Sequence, residues 1–158
     1  MKMNQWIKWT IVGVFLTGFP HWVQAQKTPA EIYRETSPAV VLLLSSNPGS
    51  STRFKGTGFI IKRRLILTNA HVVLDDNNQP LGRIVAFLPS DNPNDDNRNK
   101  LRHGHKALIL FHDTELDLAL LITKTLPDVT PIPFGNSGKV SIGDSVLAIG
   151  HPENGGLW

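Results

Sequence analysis

Cysteine is absent from the 158 residues. That excludes a disulfide framework, a thiolate metal site and a cysteine nucleophile. The fold must then be held by its core alone, and a 41% apolar composition is adequate for that. A surplus of one charge sign is missing too. The formal charge is +3, but residues 1–25 hold Lys2 and Lys8 and no acid, leaving 14 basic against 13 acidic residues, or +1. The densest basic cluster is Lys62, Arg63 and Arg64, which suits a solvated turn; a nucleic-acid partner is not expected. Also lacking are H-E-x-x-H, a phosphate-binding loop and a dinucleotide fingerprint. The longest N-terminal apolar run, Ile11 to Phe19, falls short of the roughly 20 residues that span a bilayer.

That run does have a meaning. Two lysines precede it, and Val23-Gln24-Ala25 follows with small residues where a signal peptidase inspects them. Residues 1–25 read as a secretory signal peptide cleaved after Ala25, so the protein is expected to be exported, with no membrane association once the signal is removed. Thr28-Pro29-Ala30-Glu31 is a capping-box pattern and predicts a short helix to about Thr36, ended by Pro38. Ala39 to Ser46 (AVVLLLSS) then reads as a buried strand, and Asn47 to Ser51 as a turn. Strands are expected at Gly58–Lys62, Leu65–Thr68, Arg83–Leu88, Lys106–Phe111, Leu118–Thr123 and Ser145–Gly150. Polar loops are expected at 75–80 and 89–100, and a proline-bearing connector at Leu126–Gly138. Short strands at this spacing predict an all-β antiparallel barrel or sandwich.

Two residues invite a chemical reading. His71 follows LILTNA and stands at a strand's exit, rigid on one side and open on the other. A lone histidine there would more often cap a strand end. Asp117, between Leu116 and Leu118 at the mouth of an apolar strand, changes the balance. A carboxylate in such surroundings needs a partner, and an imidazole N–H is a suitable one. Asp113 and Glu115 in the same turn read as solvated. His103, His105 and His112 offer a nominal metal site, but solvated edge histidines are the better reading, and no metal or other cofactor is expected.

GTGFII (56–61), TNAHVV (68–73), DLALL (117–121) and VSIGDSVLAIGHP (140–152) occur in an order that resembles the trypsin/chymotrypsin-like serine endopeptidases, closest to the cysteine-free bacterial Deg/HtrA-like branch. The resemblance runs from about Ile32 to Trp158. It implies two six-stranded antiparallel barrels with the active site between them, His71 as general base and Asp117 as its orienting carboxylate. Residue order agrees: no aspartate precedes His71, and no G-x-S-x-G elbow occurs. Val72 stands where many animal relatives carry a cysteine. The division expected is signal peptide 1–25, first barrel with helix and connector 26–138, and the start of a truncated second barrel 139–158.

The nucleophile is another matter. Ser137, in GNSG, is followed by Gly138 and Lys139, and Ser145 by Val146 opening an apolar strand. Neither has the glycines that let backbone N–H groups form an oxyanion hole. The expectation is therefore an exported, periplasmic or secreted bacterial serine endopeptidase acting on polypeptide substrates, of which this chain carries His71 and Asp117 but no working serine, and which is inactive as it stands. The rival reading is a non-catalytic exported β-barrel binding module. Either way, the segment from about Gly143 onward is expected to be poorly ordered or aggregation-prone.

Overall fold

A computed structural model describes residues 27–89 and 104–151. The signal-peptide reading of residues 1–25 and most of the 89–100 loop lie outside them. Helix α1, Pro29–Thr36, forms with the capping box intact: Thr28 Oγ1 accepts from the Glu31 N–H at 3.2 Å, and the Thr28 N–H donates to Glu31 Oε2 at 2.8 Å. Those Thr28 contacts hold the Glu31 carboxyl below its ordinary range.

Six strands follow: β1 Val40–Ser46, β2 Phe54–Lys62, β3 Leu65–Thr68, β4 Arg83–Phe87, β5 His105–Asp113 and β6 Leu118–Thr123. They pair antiparallel in the order β1-β2-β3-β6-β5-β4 and close into a barrel. Of the barrel or sandwich expected from the strand spacing, the barrel forms, with the six antiparallel strands that the resemblance implies for the first one. β2 begins four residues earlier than its apolar run announces, because Phe54 to Thr57 pair with β1 although Lys55 breaks the pattern.

Alternation explains the core. Leu43, Ile66, Ala86, Ala119 and Leu121 point inward and are shielded from solvent. β1 departs from alternation: Val40 and Leu42 are buried although their neighbours already fill the interior. Their side is covered from outside. Ile32 and Thr36 of α1, with Ile132, Pro133 and Leu147, line an apolar cleft of about 480 Å³ over Val40, Phe59 and Leu67. The connector is stitched down where the Ile132 N–H donates to Ile60 O at 2.8 Å.

One expected strand does not form. Ser145–Gly150 has no ladder partner and Val146 is exposed. The reason is topological: the six strands close on one another without it, and none of them takes it up as a neighbour. It lies instead against the outside of β1–β2, where the His151 N–H donates to Thr57 Oγ1 at 2.7 Å. His151 is buried there, and burial, then the nearby Lys55 charge, push its imidazole down to about 4.

Candidate active site

β3 ends at Thr68, and Asn69 leads into a single 3-10 turn, Ala70–Val72. Alternate sides of that turn do different work. Ala70, Val72 and Val73 are buried, while His71 between them faces out. Several bonds fix the turn from behind. The Leu74 N–H donates to Ala70 O at 2.9 Å, the Leu81 N–H to Val73 O at 2.9 Å, and the buried Ser45 hydroxyl to Val72 O. The polar stretch after it folds on itself, with Asp75 Oδ1 accepting from the Asn77 and Gln79 N–H groups.

GTGF belongs to the same assembly. A Cβ on Gly56 would lie 2.5 Å from Val72 Cγ2, so only glycine lets the His71 turn sit this close to β2. A Cβ on Gly58 would meet Ile66 Cγ2 at 2.6 Å. Thr68 Oγ1 donates to Thr57 O at 2.7 Å, which locks the strand end before the turn. The glycine motif and the histidine motif are thus two sides of one contact, made by Gly56 and Val72.

Asp117 arrives from the opposite direction, as the residue before β6. Its φ of 49° is in the left-handed region, an uncommon place for a residue with a side chain and one that aspartate tolerates better than most. This turns the carboxylate back over the β3 exit. His71 Nδ1 lies 2.7 Å from Asp117 Oδ2, and the His71 backbone N–H donates to Oδ1 at 3.0 Å. Asn69 Nδ2 adds bonds to Oδ2 and to Asp117 O, both 3.1 Å. The His71 backbone donor foremost, then its ring and Asn69, hold the Asp117 carboxyl below its ordinary range.

The two residues singled out by sequence therefore meet. The reason for their meeting differs from the one expected. Asp117 is not driven to a partner by burial, since its side chain is 43% exposed; hydrogen-bond donors aim it. Sequence reading passed over Asn69, although it sits inside TNAH. Its signal was an amide two residues before the histidine at a strand exit. An ionised carboxylate only accepts, so Nδ1 carries a proton, and in the neutral ring Nε2 keeps its lone pair. With 71% of the His71 side chain exposed, that lone pair faces open space. Such a ring can take a proton, and the carboxylate would stabilise the imidazolium.

Ser137 and Ser145 are not brought to this pair. Ser137 opens a 3-10 turn in which Asn136 Oδ1 accepts from the Gly138 N–H at 3.0 Å, and Ser145 lies in the exposed stretch beyond it. Among the described residues no serine hydroxyl is hydrogen-bonded to His71. His105 Nδ1 lies 3.0 Å from Thr125 Oγ1, and no group of three or more potential metal ligands occurs among the described residues.

The family model of the trypsin-like peptidase domain matches residues 56–157. The chain belongs to that family. It is 30% identical over 120 residues to serine protease Rv3671c of Mycobacterium tuberculosis, 31% over 129 residues to mitochondrial serine protease HTRA2 of Bos taurus, and 31% over 145 residues to serine endoprotease DegS of Salmonella typhimurium. Those alignments cover 76%, 78% and 85% of this chain, and 25%, 25% and 36% of the relatives. The chain thus spans about a quarter to a third of their length. The crystal structure of the active form of Rv3671c protease aligns with a TM-score of 0.49 at 20% identity, over 89% of this chain and 51% of that one.

Proposed function

We propose that this chain carries the base and the orienting carboxylate of an exported trypsin-like serine endopeptidase. His71 deprotonates a serine, Asp117 holds the His71 ring in the Nδ1–H tautomer, and water resolves the acyl-enzyme. The observation that carries the reading is the double grip of Asp117 on His71, through ring and backbone together, with Nε2 left open. Polypeptides are the substrates this family membership supports, and no cofactor enters the chemistry. Residues 139–158 are the opening segment of a second barrel in this reading, and the reacting serine is none of those in the 158 residues. The chain by itself is then without peptidase activity.

Export rests on the leader-like pattern of residues 1–25 and on similarity to proteins described as probable periplasmic serine endoproteases, such as the DegP-like protein of Chlamydia muridarum, 27% identical over 165 residues. No helix of the described residues is long and apolar enough to cross a membrane.

Nitrogen-15 NMR of the His71 ring tests the base. The expected neutral species is protonated at Nδ1, and Asp117→Ala should release that preference. A dominant Nε2–H tautomer would remove the base. A fluorophosphonate probe tests the nucleophile: no labelling is expected, and stoichiometric labelling of Ser137 or Ser145 would overturn the assignment.

A further inference from the structure

The outer face of the β5–β6 hairpin is apolar where a solvated barrel wall should be polar. Leu108 pairs with Ile122 across the two strands, so both point outward, together with Leu118 at the start of β6. A register shift between Ile109 and Phe111 adds to this. Strict alternation would send one of Leu110 and Phe111 inward, but the bulge leaves both in solvent, 57% and 61% exposed. With Leu108 at 56% and Leu116 in the turn at 69%, the face presents on the order of 600 Å² of apolar surface, the range at which patches mark an interaction site. That approaches the roughly 800 Å² each partner contributes to a stable interface.

Charge on this face is sorted by end. Lys106 on β5 and Lys124 just after β6 stand at the open end of the hairpin. Asp113 and Glu115 stand at its turn, about 20 Å away by strand rise. A two-fold axis through the apolar middle brings the basic end of one copy against the acidic end of another, twice over. An isologous contact requires this self-complementarity, and a face of one charge sign would forbid it.

We propose that the outer face of the β5–β6 hairpin is a self-association surface, docking antiparallel on the same face of a second copy of this chain. Phe111 and Leu110 form its centre, and the Lys106/Lys124 and Asp113/Glu115 ends set the register. The surface does not depend on the peptidase reading: Leu116 and Leu118 flank Asp117 in the chain, but none of the face residues hydrogen-bonds His71 or the Asp117 carboxylate.

Sedimentation equilibrium on the purified chain at about 50 µM should show a dimer, as an interface of this size allows. Phe111→Glu should give a monomer whose thermal melt matches that of the wild type diluted until it dissociates, since the side chain is exposed. Lys124→Glu and Glu115→Lys should each weaken association by about tenfold, and the double exchange should restore it. A wild-type chain that stays monomeric, or gathers only on lipid vesicles, overturns the proposal. So does association indifferent to Phe111→Glu, which would assign it to the exposed segment after Gly143, and so does a double exchange that fails to recover.

Discussion

Ala107–Phe111 (ALILF) and Ser145–Ile149 (SVLAI) are similar apolar stretches with opposite fates. The first lies in β5, paired with β6 along its length and with β4 at Ala107; the second has no ladder partner at all. Composition does not separate them, and propensity barely does. What separates them is whether a neighbour offers an unpaired row of backbone groups. β5 finds β4 and β6 within the barrel. The later stretch lies beyond six strands that already close on one another in a ring. Strand character in such a segment is conditional on topology.

The sharpest way to test that contrast is to damage each region in turn. Leu121 is fully buried at the centre of the barrel, so Leu121→Ala should cost about 3–4 kcal/mol in urea denaturation, transfer and cavity contributions together. Val146→Ala, at an exposed position of the later segment, should stay within about 0.5 kcal/mol. Equal losses would mean that the two regions fold as one unit.

Next in size is a pH effect confined to the later segment's attachment. His151 has its folded-state pKa pushed from 6.5 down to about 4, so the folded state prefers the neutral ring. The stability this contributes is fully present above pH 6.5 and drains away as pH falls from 6.5 to about 4, reaching on the order of 3 kcal/mol. Asp117 acts in a separate, more acidic window. Its lowered pKa contributes stability present above 3.8 and lost as pH falls through its folded value. Denaturation curves at pH 7 and pH 4.5 should therefore differ in the wild type and differ much less in His151→Gln. Identical pH dependence in both would detach His151 from the effect.

A smaller change should reach the candidate site and leave the later segment alone. Gly56→Ala places a methyl against Val72, and the turn bearing His71 must give way, at a cost of about 1–3 kcal/mol. Backbone amide shifts should move at Ala70–Val73 and not at Ser145–Gly150. Movement spread evenly over both would contradict the tight β2–turn contact.

Much of the barrel was legible because inward and outward residues alternate along most strands, and because turns such as Arg63-Arg64 and the capping box of α1 are local. The pairing of His71 with Asp117 was legible because each sits at the end of an apolar strand. Three features were not. Asp117's left-handed backbone depends on the turn geometry around it. The failure of Ser145–Gly150 to pair follows from barrel closure, a property of six strands together. The outward exposure of both Leu110 and Phe111 requires a bulge that an unbroken apolar run conceals.

The smallest expected effect separates the two ways Asp117 could be held. Were burial the cause, removing a peripheral amide would do nothing to its titration. The structure instead gives it donors, of which Asn69 Nδ2 is the weakest contributor and the His71 backbone N–H the strongest. Asn69→Ala should leave the fold within about 0.5 kcal/mol, because the residue is exposed at the strand exit. It should nevertheless raise the Asp117 carboxyl toward its ordinary range, followed by carbon-13 NMR, and loosen the His71 Nδ1–H tautomer preference. Asn69→Asp should disturb the pair more than Asn69→Ala does, since a second carboxylate then faces Oδ2 where a donor stood. An Asp117 titration unmoved in both variants would return the carboxylate to a burial-driven account and leave Asn69 with no part in aiming it.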